Sequence, residues 1–359
     1  MDPSLAEIKV KNFWQELKKP ALSDGSRGRP IFCLAPMADV SDCAFRQIIA
    51  KYGKPDIFFT EFVSADGLAH ENARRKLLID LKFGDNEHPI VAQIFGGKPE
   101  NIKIAAGLCR ELGFDGVDIN MGCPDRSIEK QCAGAAMIKN PKLAREIIKA
   151  AREGADRLPI SVKTRIGYNP PGGADSRAGK NEMEVWVRTL LKENLAALII
   201  HLRTRKEMSN VPAHWELMKR IIEIRDEMKV NTLIIGNGDI LDFKDAQEKV
   251  EETGCDGVML GRAIFGNPWL FRSEHISKSN LSGATAPANF SARQPAKGFS
   301  QYIPSLHEKL SVMLLHTKLF EKMLGKYKNF AIMKKHFKAY VNGFDGAKDL
   351  RIKLMTTEN

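Results

Sequence analysis

Cys123 stands between Gly122 and Pro124, directly after an apolar run. A thiol with a reference pKa of about 8.5 is protonated near neutral pH, so it can act as a general acid as well as a nucleophile. Lys163 or Arg165 nearby would pull that pKa down, and the plain alternative is a small buried apolar side chain. Lys163, Arg165 and His201 each close an apolar run. Such groups could hold the electron-rich edge of a ring cofactor, a phosphate or a carbonyl substrate. Lys163 could instead be a Schiff-base lysine, and a surface ion pair is the alternative for all three. Gly238 and Gly261 follow two further runs, within Asn237-Gly238-Asp239 and Gly261-Arg262. Glycine lets main-chain N–H groups come close to a ligand, and Arg262 could add a charge-assisted bond. The pair of turns suits a phosphate-bearing cofactor. No Walker, H-E-x-x-H or G-x-S-x-G motif occurs.

These residues share one end of a repeated unit. Eight short apolar segments, at residues 31–35, 57–60, 90–95, 116–120, 160–164, 198–201, 232–236 and 257–260, read as strands buried on both faces. Segments of helical periodicity lie between most of them: 101–112, 143–152, 182–192, 214–229 and 242–252. Alternating strands and helices predict a parallel sheet, and eight units over about 240 residues fit an α/β fold of the (β/α)8 TIM-barrel class. An open doubly wound sheet ranks below it, for want of a G-x-G-x-x-G after the first strand. In a (β/α)8 barrel the active site lies at the carboxyl ends of the strands. Pro36 and Met37, Asn120 and Cys123, Lys163 and Arg165, His201 and Arg203, Asn237 to Asp239, and Gly261 with Arg262 all fall there, with Gln93 inside the third strand.

The flanking segments differ in character. Residues 1–29 form an N-terminal extension without an apolar leader, and residues 30–272 form the barrel. Residues 167–180 are a Pro/Gly-rich loop, and residues 273–302, rich in Ser, Ala, Asn and Pro, read as a linker. Helices are expected at 306–324 and 330–341, within a small all-helical domain at 303–359. That domain carries eleven Lys and Arg against five Asp and Glu, out of a net charge of +11 for the whole chain. Lys334, Lys335 and Lys338 stand between its apolar positions. A basic domain on a nearly neutral body suggests a polyanionic partner, nucleic acid first; a solvated lysine-rich surface is the alternative. The 359 residues are 43% hydrophobic and 28% charged, the composition of a soluble globular protein. No run of about 18 uncharged apolar residues predicts a membrane helix. Six cysteines without a C-x-x-C pair exclude a disulfide framework and a zinc ribbon. No metal is expected, and a reducing, cytoplasmic setting is. A small packing residue is the expected role of Cys132.

Taken together, Leu34-Ala35-Pro36-Met37-Ala38, Val91-Ala92-Gln93-Ile94, Asn120-Met121-Gly122-Cys123-Pro124, Val162-Lys163-Thr164-Arg165, His201-Leu202-Arg203-Thr204, Gly236-Asn237-Gly238-Asp239 and Gly261-Arg262 resemble the dihydrouridine synthases. These are FMN-dependent enzymes that reduce specific uridines of tRNA with NADPH. The resemblance runs in order from about residue 31 to residue 269, and the basic helical domain matches the family's tRNA-binding domain in position. It implies that Pro36, Met37, Gln93, Lys163, His201, Asn237, Gly238, Asp239, Gly261 and Arg262 hold FMN, and that Cys123 is the catalytic acid. It implies that Asn120, Lys163, Arg165, His201 and Arg203 surround the target base, and that Lys334, Lys335 and Lys338 meet tRNA. Asp125-Arg126-Ser127 differ from the small and basic residues the resemblance implies after Pro124. A monomer is expected. A flavin barrel acting on a small molecule, of the dihydroorotate or dihydropyrimidine dehydrogenase type, explains the rim but not the basic tail. A non-catalytic tRNA chaperone explains the tail but not the rim.

Overall fold

A computed structural model describes residues 12–18, 29–170, 176–275 and 299–358. Its strands are β1 (Ile31–Leu34), β2 (Phe58–Phe59), β3 (Val63–Ser64), β4 (Ile90–Phe95), β5 (Gly116–Met121), β6 (Ile160–Arg165), β7 (Ala197–His201), β8 (Leu233–Asn237) and β9 (Gly257–Leu260), followed by β10 (Ser273–His275) and β11 (Phe299–Gln301). The first nine form one parallel sheet in the order β1-β9-β8-β7-β6-β5-β4-β2, with β3 beside the end of β4. A bridge between Cys33 and Ile57 closes it into an eight-staved barrel. All eight expected strands are present.

The period-two alternation of each strand makes two cores. Phe32, Leu34, Ala92, Ile94, Val117, Ile119, Val162, Leu198, Ile200, Val258 and Leu260 pack in the layer under the surrounding helices. Ile31, Cys33, Ile57, Phe59, Val91, Ala197, Ile199, Leu233, Ile235 and Met259 fill the lower barrel interior. One step further along the same inward rows stand Gln93, Asp118 and Asn120, Lys163, His201 and Asn237. The chemistry therefore sits on strands, above a dry plug.

Part of the N-terminal extension completes that plug. Helix α1 (Phe13–Leu17) inserts Trp14, fully buried, into the lower core with its ring 6.4 Å from Phe59. The outer ring comprises α2 (Cys43–Tyr52), α3 (Ala65–Ala69), α4 (Glu71–Leu77), α5 (Pro99–Glu111), α6 (Arg126–Glu129), α7 (Pro141–Ala155), α8 (Ser176–Leu191), α9 (Met218–Glu227) and α10 (Phe243–Thr253). Two expectations shift. Helix α8 already begins at Ser176, inside the segment read as a loop, and residues 171–175 lie outside the described part. Helix α9 starts only after a 3₁₀ turn at Trp215–Leu217, because the Trp215 indole N–H turns inward to donate to the Gly238 carbonyl at 2.9 Å.

The segment read as a linker is tied at both ends: β10 and β11 pair antiparallel, Ser273 opposite Gln301. Residues 276–298 lie outside the described part. Three helices follow, α11 (Leu306–Leu324), α12 (Ala331–Tyr340) and α13 (Ala347–Met355). Ser305 and Glu308 form a capping box that starts α11. The helices do not stand apart from the barrel. Val312, Met313, Phe320, Met333, Phe337 and Tyr340 share one core with Cys43, Ala44 and Ile48 of α2 and with Trp269. His316 and His336 are buried there, their rings 4.5 Å apart and 5.0 and 4.6 Å from Phe45, and none of their four nitrogens has a partner among the described residues. Lys328, between α11 and α12, bonds Glu61 and Asp80, each at 2.7 Å.

Candidate active site

The carboxyl rim of the barrel holds a 570 Å³ cavity. It is lined by Pro36 and Met37 after β1, Lys163 of β6, His201 and Arg203 at the end of β7, Asn237, Gly238 and Asp239 at the end of β8, and Gly261 and Arg262 after β9. Nine of the ten residues expected to hold a cofactor meet here. The tenth, Gln93, lies lower and is fully buried.

The cavity is shaped for an anion. Among the described residues the Lys163 ammonium has no hydrogen-bond acceptor, and burial, then the Arg165 charge, pulls its pKa down to about 8. His201 is pulled down to about 2, first by burial and then by the surrounding cations, so its ring is neutral at working pH. Asp239 organises the arginines rather than opposing them. Its Oδ1 accepts from Arg262 Nη2 at 2.6 Å, and its Oδ2 accepts from Arg203 Nη2 and, at 2.9 Å, from the Ala213 N–H. Arg203 also donates to the Val211 carbonyl at 2.6 Å, so its guanidinium is fixed. Gly238 has φ +131°, and a Cβ there would lie 2.8 Å from the Ala213 Cβ and 3.3 Å from His201 Cδ2. A Cβ on Gly261 would stand 3.6 Å from Ala35 and 3.7 Å from the Met37 sulfur, inside the cavity. Only glycine leaves this cradle open at position 238. A flat, anionic, phosphate-bearing cofactor would fit this set of cationic donors and glycine turns.

Beneath the cavity a buried polar chain runs toward Cys123. Asp118 Oδ1 accepts from Ser161 Oγ at 2.6 Å, and its Oδ2 accepts from Gln93 Nε2 at 2.7 Å. Gln93 Oε1 accepts from Asn120 Nδ2 at 3.0 Å, and Asn120 Oδ1 accepts from the N–H groups of Gly122 and Cys123 at 3.1 and 2.9 Å. A carboxylate at the root that only accepts sets the direction of both amides above it. Burial raises the Asp118 pKa to about 6.

Every main-chain polar group around Cys123 is held. Arg165 Nε donates to the Gly122 carbonyl at 2.8 Å, and its Nη1 donates to the Thr204 and Met208 carbonyls, each at 3.1 Å. The Cys123 carbonyl accepts from the Ala135 N–H at 2.9 Å. The Pro124 carbonyl accepts from Arg205 Nη2 at 3.0 Å. The thiol itself is partly exposed. Burial raises its pKa and outweighs the opposing hydrogen bond from the Asp125 main-chain N–H; the Asp125 charge adds to the rise, while the Arg165 and Lys163 charges oppose it. It is therefore protonated at neutral pH, the state of an acid. Asp125, unexpected from the sequence, is the N-cap of α6, its Oδ1 accepting from the Ser127 N–H at 2.7 Å. Cys132 differs from its expected packing role: it is exposed, at φ +56° in the turn before Gly134.

Sequence reasoning missed Asp118, Ser161, Glu129 and Arg205. Asp118 carried a signal, a carboxylate two residues before Asn120 and so on the same strand face. Of the residues expected to meet nucleic acid, Lys335 and Lys338 are exposed and Lys334 is partly so. They belong to α12, which abuts the loop after β9: a Cβ on Gly266 would meet the Ala339 carbonyl at 2.2 Å, and Phe265 lies 6.0 Å from His336. Lys335 Nζ lies 3.6 Å from Asp39 in the loop after β1. The basic helix thus borders the same rim as the cavity.

A closed parallel barrel with a cationic, glycine-lined cavity beside a protonated thiol defines a cofactor-binding barrel enzyme. Among solved structures, histamine dehydrogenase from Rhizobium sp. 4-9 has a similar fold, with a TM-score of 0.50 and 13% identity over 72% of this chain and 47% of that one. The family profile of Dihydrouridine synthase (Dus) matches residues 33–359. A probable tRNA-dihydrouridine synthase of Staphylococcus aureus strain Mu50 is 38% identical over 353 residues, 97% of this chain and 92% of the relative. Probable tRNA-dihydrouridine synthase 2 of Bacillus subtilis strain 168 is 38% identical over 98% of this chain and 94% of the relative. The chain belongs to the dihydrouridine synthase family and is a flavin-dependent reductase.

Proposed function

We propose that this protein reduces the C5=C6 bond of specific uridines in tRNA, using FMN that NADPH re-reduces. The observation that carries the reading is a partly exposed Cys123 thiol, on a rim turn clamped by Asn120 and Arg165, beside a cationic cavity. FMN, when bound, supplies a hydride to C6 of the uracil. Cys123 supplies the proton: its S–H bond breaks, a C5–H bond forms, and the thiolate regains a proton from solvent. Pro36, Met37, Lys163, His201, Asn237, Gly238, Asp239, Gly261 and Arg262 hold the cofactor, and Gln93 braces the site from below through Asn120. Lys163 and Asn120, side by side in register, face the base with His201. Their charge and N–H groups stabilise the C4 oxygen as it gains negative charge. Arg165 and Arg203, whose guanidinium donors are tied to carbonyls and Asp239, add their fields rather than new contacts. The uridine must leave its stack to reach the rim. Lys334, Lys335 and Lys338 grip tRNA phosphates beside that rim, with the barrel and its C-terminal helices acting as one unit, as a monomer in the cytoplasm.

The test is anaerobic. The flavin is reduced with NADPH, unmodified tRNA is added, and flavin absorbance is followed. Rapid reoxidation by tRNA, but not by orotate or free uridine, is expected. Reoxidation by a small molecule alone would assign the barrel to small-molecule reduction. Cys123→Ala should keep flavin and tRNA affinity and lose most of the turnover; undiminished turnover would remove the thiol from the mechanism.

A further inference from the structure

We propose that Arg205 and Glu129 form a clamp that positions the Cys123 thiol, and that neither acts by touching RNA. The proposal rests on the assignment of Cys123 as the acid. Asn120, Arg165 and Ala135 fix the turn from the barrel side. The remaining acceptor, the Pro124 carbonyl, faces outward and takes its hydrogen bond from Arg205, which reaches across from the loop after β7. The same guanidinium bonds Glu129 Oε2 through Nε at 2.9 Å and Nη2 at 2.5 Å. Glu129 is the last residue of α6, the single helical turn that begins just after Pro124. Arg205 therefore staples both ends of the segment that follows the thiol.

Its geometry is that of a brace, not of a phosphate contact. The Arg205 and Glu129 side chains are only 16% and 13% exposed. Nε and Nη2 are occupied, Nη1 faces the Met208 sulfur at 3.9 Å, and the guanidinium carbon lies 5.8 Å from the centre of the Tyr168 ring. An arginine kept for RNA would present free donors to solvent. A fork held by a carboxylate on one side and a carbonyl on the other has one orientation.

Opposite charges give the test its resolving power. Arg205→Ala and Glu129→Ala change the charge near the thiol in opposite senses, so electrostatics alone would move the reaction in opposite directions. A clamp predicts the same outcome for both. Reduction of the bound flavin by NADPH should stay within twofold of wild type, and tRNA affinity likewise. Flavin reoxidation by tRNA in a single turnover should slow at least tenfold. Arg205→Lys, which keeps the charge but loses the fork, should behave like Arg205→Ala and carries the test if the alanine variant folds poorly. Amide hydrogen exchange over residues 122–135 should quicken in all three variants. If Arg205→Ala weakens tRNA binding tenfold while Glu129→Ala strengthens it, Arg205 is an RNA contact and the clamp is wrong. Unchanged exchange and unchanged reoxidation would overturn it equally. If wild type does not reduce tRNA at all, the synthase reading fails, and the exchange measurement still decides the clamp.

Discussion

Lys163 offers the sharpest chemistry of any single residue here. Its ammonium has no acceptor among the described residues, and burial beside Arg165 brings its pKa to about 8. Because the folded value lies below the unfolded 10.5, the unfolded chain holds more protons between pH 8 and 10.5, and this residue's contribution to stability rises with pH across that window. An anionic ligand should reverse the shift. Binding of FMN to cofactor-free protein at pH 8.5 should therefore take up protons, measurable as a dependence of the binding enthalpy on buffer ionisation. Lys163→Met should abolish that dependence. Asp118 works by geometry. Asp118→Ala leaves the Gln93 amide and the Ser161 hydroxyl without their acceptor, at a cost of about 1–3 kcal/mol for each buried group. Urea unfolding of the variant checks that figure. The cysteine, lysine, histidine and glycines of the site were legible because each closes an apolar run. Arg205 and Glu129 were not, because their partnership spans 76 residues and no local pattern announces it.

At the scale of elements, the eight barrel strands could be read because both of their faces are buried, which writes an unbroken apolar run into the chain. Helix α2 could not. Its inward face meets the barrel and its outward face meets α11, so Cys43, Ala44, Phe45, Ile48 and Ile49 are all buried, and Arg46 with them, which leaves a polar side of little more than Gln47 and Lys51. Nor could the two residues of β3 or the three each of β10 and β11, which owe their pairing to neighbours distant in sequence. Turn geometry gives a prediction at this scale. Gly238→Ala places a Cβ where the backbone is at φ +131° and Ala213 is 2.8 Å away. Flavin affinity should fall at least tenfold, read by equilibrium dialysis or fluorescence, and the melting temperature of the cofactor-free protein should fall too, because the strain and the clash lie within the chain.

For the molecule as a whole, the core shared by the barrel and the C-terminal helices contains two histidines that fold in neutral form. Burial lowers His316 well below its ordinary value and brings His336 to about 3. Below pH 6.5 the unfolded chain takes up protons that the native state refuses. Each histidine therefore removes about 1.4 kcal/mol of stability per pH unit on the acid side. Asp42 and Asp118, raised to about 6, oppose this between pH 6 and 4. His336→Phe should shallow the acid limb of a stability–pH curve, and a limb as steep as wild type would mean that the ring is already protonated in the fold. Replacing Lys334, Lys335 and Lys338 by Ala should lower the slope of log affinity for tRNA against log salt by about 0.7–0.9 per lysine that meets a phosphate.

The shared core also fixes a timetable for synthesis. Helix α2 lies near the start of the chain and α11 near its end, yet they pack on each other. A nascent chain emerging from the ribosome would carry Ile48 and Trp269 uncovered until residues 306–340 are translated. The floor around Trp14 cannot close until β9 completes the ring. Segments made early, such as α2, are among the last to find their partners, so slowing translation just before α11, or withholding chaperones at that stage, should cost more native protein than the same treatment applied within the barrel strands.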